Sequence, residues 1–333
     1  MQKTLQLLGF AAVLAVGCST PNEKPAPVAK PAEKPVEQPV AAMPAMPILA
    51  AGAKADSKPD APVAVGGSRE DRVSALQTEY SAAQQSYYEA FRKALDGKEN
   101  PTREELEKIR SELKEPDTQA YIARAQALID EDATDLAAFH ALAWLLDNQG
   151  VPEQQAPTLA LLEKYHMQRA EMGELCGRFA QNARPMLEKL VANSPHIEVR
   201  GQACYALAEG LKQDIETSEY VKKAEPAELE GMKGYLGADK FAALQTLDVA
   251  ATQKQMEQTY ERVVKDFGDV KLDAGTKHES TLGKRAGAAL HEIRDLAVGK
   301  MTPEIEGVDL DSVAFKLSDY RGKVVLLDFW GNW

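Results

Sequence analysis

The sequence predicts a mainly α-helical array that gives way, near residue 300, to an incomplete α/β unit. Three observations carry this. Apolar residues recur at helical spacing in four stretches between residues 102 and 297. Ten of the 18 prolines crowd into residues 21–62, where they deny the backbone a helix. From Lys300 the pattern changes to two short strand-like segments, a polar turn and one continuous apolar run, Val324 to Trp330. Charge and composition set the outer limits. With 39 Lys+Arg against 51 Asp+Glu the net charge is −12, which offers nucleic acid no global attraction. Beyond the first twenty residues no run approaches the ~20 apolar residues of a spanning helix. Three cysteines, none in a Cys-x-x-Cys or His-rich spacing, argue against a zinc module, and no metal or cofactor is expected.

The N-terminus sets the expected compartment. Met1-Gln2-Lys3 and the apolar stretch Leu5 to Val16 have the form of a signal-peptide core, too short to cross a bilayer. It closes on Ala15-Val16-Gly17-Cys18, which resembles the lipobox of bacterial lipoproteins, with Ala15 where leucine is usual. The resemblance implies cleavage before Cys18 and acylation of its thiol. The lipid bilayer is then a partner, and the protein is anchored in the cell envelope facing the periplasm or exterior. Residues 1–17 read as the signal peptide and 18–66 as a Pro/Ala-rich, extended, disordered tether, with five lysines balancing five acids between Pro21 and Pro62.

Residues 67–298 read as the helical domain. Thr102-Arg103-Glu104-Glu105 has the form of a capping box, followed by Leu106, Ile109 and Leu113. Leu136, Phe139, Ala143 and Leu146 form a second stripe, with Trp144 beside it. Ser194-Pro195 predicts a cap and first helical residue ahead of Val199, Ala203, Ala206, Leu207 and Leu211. Leu282, Ala286, Leu290, Ile293 and Ala297 form the fourth face. Residues 195–207 resemble one HEAT-type repeat, which suggests a HEAT/TPR-like array, although no clean period recurs elsewhere.

Little inside this body points to chemistry. His291-Glu292-Ile293-Arg294-Asp295 is one residue short of a zinc-peptidase helix and lacks a third ligand, so it reads as a solvated face. His140, His166, His196 and His278 stand without evident partners. For Cys176 and Cys204 two alternatives remain open. One is a disulfide, closing a loop of about 28 residues for some 3–4 kcal/mol; the other is a pair of buried free thiols.

The chemical signal lies in residues 299–333. Glu304 to Asp309 and Ala314 to Leu317 predict two short strands around Asp309-Leu310-Asp311-Ser312. Val324-Val325-Leu326-Leu327-Asp328-Phe329-Trp330 predicts a strand buried on both faces, yet one without neighbours to pair with. Gly299 to Gly307, and Phe315 through Lys323 to Trp333, resemble the opening of a thioredoxin-like redoxin domain of the alkyl hydroperoxide reductase/thiol-specific antioxidant and TlpA/ResA type. Ser312-Val313 departs from the glycine common in that turn. The resemblance implies that Asp328 is the buried acid assisting proton transfer, that Trp330 and Trp333 flank the site, and that a Cys-Gly-Pro-Cys or a variant follows Trp333. Both of those cysteines are absent here, so the 333-residue chain is predicted inactive in dithiol–disulfide exchange. The leading explanation is a selenocysteine at position 334 encoded by UGA; a nonsense change and a truncation are the others.

The resemblance implies an exported, lipid-anchored thiol:disulfide oxidoreductase. Its partners would be exported thiol or disulfide proteins and an electron-donor protein. The strand ending in tryptophan favours this over peroxide reduction. The competing expectation is a non-catalytic helical-repeat lipoprotein acting as a protein-binding scaffold, with a relic redoxin segment.

Overall fold

The structure, a computed structural model, describes residues 67–328 apart from 97, 99–100, 181, 274 and 309–310. By its contacts the chain divides into Met1–Met46 and Pro47–Trp333, and every described residue belongs to the second unit. The signal sequence, Cys18 and the tether lie outside the described residues, as do Trp330 and Trp333.

The described chain is mainly helical, as the sequence predicts. Helix α1 (Arg69–Leu95) starts at a capping box in which the Ser68 side chain accepts from the Asp71 N–H and Asp71 returns the bond. Only its first three turns are well buried, through Val73, Leu76 and Tyr80. Helix α2 (Arg103–Glu112) opens on the predicted Thr102/Glu105 box and buries Ile109. Helices α3 (Thr118–Glu131) and α4 (Leu136–Asn148) form the pair on which α1 rests. Asp135 caps α4 by accepting the Ala138 N–H at 2.8 Å. Eight α4 residues are buried, including Phe139, Leu142, Trp144 and Leu145. Leu142 and Leu145 are fully enclosed, a burial of about 1.5–3 kcal/mol for each such side chain. Tyr80 meets the edge of Trp144 with ring centroids 5.2 Å apart, which joins α1 to α4.

Helix α5 (Pro152–Tyr165), the short α6 (Met172–Leu175) and a 3₁₀ turn at Cys176–Arg178 lead to α7 (Arg184–Asn193). Helix α8 (Ile197–Val221) is the central element and packs on α7 and, most extensively, on α11 (Val249–Phe267). Its buried face is built of small residues, Gly201, Ala203, Ala206, Ala208 and Gly210, which let neighbouring backbones approach closely. The predicted start at Ser194-Pro195 falls two residues early. Ser194 closes α7, its N–H bonded to Leu190 O at 3.0 Å, and its hydroxyl accepts from the His196 N–H at 3.3 Å. That serine is therefore committed to the turn, and α8 begins after His196 without a side-chain cap.

Helices α9 (Pro226–Leu236) and α10 (Ala238–Gln245) meet at Gly237, whose φ of 80° lies in the left-handed region open to glycine. A two-residue antiparallel pairing, β1 (Lys271–Leu272) with β2 (Ser280–Thr281), connects α11 to α12 (Leu282–His291). Leu282, Ala286 and Leu290 are buried as predicted, whereas Ala297 is exposed. The reason is that α12 gives way to a π-helical turn at Glu292–Leu296, which changes the facing of everything beyond Ile293. One core cluster runs from Val73 to Leu290. Helix lengths range from 4 to 27 residues, so the array is irregular.

Candidate functional site

The segment carrying the chemical signal begins where the helical body is pinned. Arg294 in the π turn reaches Glu257 (3.2 Å) and Glu261 (2.5 Å) on α11, and Lys212 of α8 reaches Glu292 (3.2 Å). Val298 and Met301 follow as exposed residues. Strands β3 (Glu306–Val308) and β4 (Ala314–Lys316) then form the predicted antiparallel hairpin, paired Glu306 to Lys316, Gly307 to Phe315 and Val308 to Ala314. Phe315 lies over Gly307, a place with little room for a Cβ: one built there would stand 3.1 Å from the ring. Ser312 has φ 62°. A glycine preference at this turn follows directly from that backbone geometry.

After β4, the 3₁₀ turn Leu317–Tyr320 is tied back to the start of the segment. Glu304 Oε1 accepts the Ser318 N–H at 2.9 Å, and the hydrogen bonds from Ser318 hold the Glu304 carboxyl below the usual carboxylate range. Leu317 N–H donates to Ile305 O at 2.9 Å. A shallow open groove of about 350 Å³ lies between the residues before β3 and those after β4, lined in part by Pro303, Leu317, Tyr320, Val325 and Leu327.

Residues 324–328 correct the sequence prediction. Among them no strand is paired, and Val324 and Leu326 are almost wholly exposed, at 103% and 93%. Asp328 is also exposed. The physical reason is the one that made the run anomalous in the sequence. A two-faced apolar strand is buried only by neighbouring strands and covering helices, and among the described residues none lies beside it.

Of the two alternatives for Cys176 and Cys204, the structure has the unbridged one: both are free and buried. Cys176 Sγ donates to Met172 O at 3.3 Å, and burial pushes the thiol up to about 12. Burial likewise raises Cys204, on α8, to about 11. Neither is a competent nucleophile, because the thiolate is the reactive form. His291 sits on an exposed face with Nδ1 2.6 Å from Asp295. Among the described residues no group of three or more His, Cys, Asp or Glu side chains is placed to hold a metal ion. Among the same residues no helix is long and apolar enough to cross a membrane.

Three polar groupings were not legible in the sequence. Arg69, at the start of α1, reaches Asp135 (2.6 Å) and the Asp132 carbonyl (2.9 Å). Asp214, nearly buried on α8, pairs with Arg184 of α7 (2.6 Å) and Lys240 of α10 (2.5 Å). His166, fully buried, lies against Ala133 O and Arg169. Their partners stand tens of residues away in sequence, so no local signal announces them; the exception is Arg169, three residues after His166.

Comparison with curated proteins finds a short partial likeness to a thiol-disulfide oxidoreductase. The particular relative is the thiol-disulfide oxidoreductase ResA of Geobacillus kaustophilus (strain HTA426), 50% identical over 38 residues. That stretch is 11% of this chain and 22% of the relative, so the chain spans about a fifth of the relative's length. No protein-family model matches the chain. No solved structure matches it either.

Proposed function

We propose that this chain carries the opening of a thioredoxin-like thiol:disulfide oxidoreductase domain, attached to a helical body and tethered to a membrane through acylated Cys18. The observation that carries the reading is the 50% identity over 38 residues to a thiol-disulfide oxidoreductase, together with a hairpin and tied turn formed where the sequence predicts them. In such a domain a thiolate attacks a substrate disulfide and forms a mixed disulfide. The second thiol then displaces the reduced substrate, and an electron-donor protein restores the dithiol. The 333 residues hold no cysteine after Cys204 and no Cys-x-x-Cys, so they do not perform this exchange by themselves.

Asp328, Trp330 and Trp333 take their roles in this reading only once further strands and helices cover the apolar run. Envelope localisation rests on the lipobox-like residues Ala15 to Cys18. The testing experiment reads the nucleotide sequence after the Trp333 codon and assays the product of the continued frame for disulfide reduction. A cysteine or UGA codon, then in-frame Gly-Pro-Cys codons and activity that the 333-residue chain lacks, is the expected result. A frame with no such continuation, or a continued product without activity, overturns the redox reading.

A further inference from the structure

His166 stands at the end of α5 with 0% exposure. Its Nδ1 is 2.9 Å from Arg169 Nε, and its Nε2 is 2.9 Å from Ala133 O. A guanidinium only donates, so Nδ1 must be bare and the single ring proton must sit on Nε2, donating to the carbonyl. Both ring nitrogens are thereby committed to the neutral form. Arg169 continues to Thr134 O at 2.8 Å, so the two side chains together hold residues 133 and 134 in the turn between α3 and α4. That turn in turn grips α1. Asp135 Oδ2 lies 2.6 Å from Arg69 Nη1, and Asp132 O lies 2.9 Å from Arg69 Nη2. Imidazole, turn and first residue of α1 form one connected polar network.

We propose that His166 is an acid-sensitive latch: its neutral ring keeps the α3–α4 turn in the shape that holds α1, and protonation of the ring releases α1. A second ring proton has to displace Arg169 from Nδ1 and then stand beside a guanidinium with nothing in the pair to accept it. The groups facing the ring come from each side. Arg169, from the segment after α5, opposes the added charge. Asp135, at the start of α4, favours it but is already engaged by Arg69. Phe139 of α4 and Tyr165 of α5 pack their rings edge-on against the imidazole, with centroids 5.6 and 6.5 Å away. Burial first, and Arg169 second, hold the group below its ordinary 6.5. The sign follows. Well above 6.5 the ring is neutral whether α1 is docked or released, and the docked state keeps its full advantage. As pH falls from there toward the lowered docked value, protons favour the released state. The inference stands on the helical body alone and is independent of the redox reading.

The test is backbone amide exchange of the full 333-residue chain at about pH 7.5 and about pH 5, rates corrected for intrinsic chemistry, across the range where histidine titrates. Protection in residues 69–80 and 133–139 is expected to be lost at the lower pH, the direction that a lowered docked value requires. Residues 199–211 and 252–263 should keep theirs. In His166→Gln, whose amide can accept from Arg169 and donate to Ala133, the response to pH should vanish. Unchanged protection of α1, a loss shared equally by α8 and α11, or a persisting response in His166→Gln overturns the latch. Should that variant fail to fold, imidazole nitrogen shifts of the wild-type chain decide. The Nε2–H form at neutral pH is expected, and the Nδ1–H form, or proton uptake with no change in α1, overturns it.

Discussion

The backbone N–H of Gly283 donates to the carbonyl of Gly268 at 3.0 Å, locking the first turn of α12 to the end of α11. The contact has no room for a side chain. A Cβ on Gly283 would stand 2.8 Å from Gly268 O and 2.9 Å from its Cα, both backbone atoms that cannot swing aside. Gly283→Ala should therefore destabilise the helical body by about 1–3 kcal/mol, as overpacking does elsewhere. Gly287, in the middle of the same helix, has nothing within 4 Å of an added Cβ. Gly287→Ala should stabilise by about 0.4–1 kcal/mol through helix propensity and a less flexible unfolded chain. Opposite shifts of the urea midpoint for the two variants are the expected result.

Asp214 ties three helices together. Its carboxylate, 8% exposed, sits between Arg184 of α7 and Lys240 of α10, whose side chains are 36% and 28% exposed. Because water reaches both cations, the loss on Asp214→Ala should fall below that of a fully buried pair, at about 2 kcal/mol. Asp214→Asn, which keeps an acceptor, should lose less. Chemical denaturation of both variants checks the order.

Cys176 and Cys204 should resist thiol reagents in the folded protein. With burial holding them at about 12 and about 11, the thiolate fraction near neutral pH is minute, and it rises only in strong alkali or on unfolding. Labelling of oxidised, denatured protein should modify both residues. Peptide masses showing neither labelled would mean that they are bridged.

Among the described residues, those beyond the π turn add nothing to the core cluster that runs from Val73 to Leu290. A chain ending after residue 298 should keep its helical circular dichroism and melt within about 2 °C of the 333-residue chain, a shift worth about 0.5–1 kcal/mol. A larger fall would place the boundary of the helical body further along the chain.

Helix positions were legible wherever the signal was local. Thr102 and Glu105 announced α2 by a reciprocal bond spanning three residues, and Phe139 and Leu146 announced α4 by their spacing. The β3–β4 hairpin was equally plain, because its pairing spans only a few residues. Ser194 was misjudged because a serine before a proline can end one helix as readily as begin the next. His166 was set aside as solitary, since its carbonyl partner at Ala133 lies 33 residues earlier. The candidate site was legible as a resemblance rather than as geometry. Asp328 was expected to be buried, but burial is conferred by neighbours in space, which the apolar spelling of residues 324–327 implies without supplying.

What the sequence by itself determined is the mainly helical class and the place of the β3–β4 hairpin, with a resemblance in residues 299–333 as its functional lead. Each rests on periodicity, capping or wording within a few residues. Tertiary structure alone decided that Asp214 is shared by α7 and α10, that Gly283 meets Gly268, and that His166 must carry its proton on Nε2. Those are properties of groups brought together by packing, and the free energy of a charge or a hydrogen bond depends on what surrounds it in space.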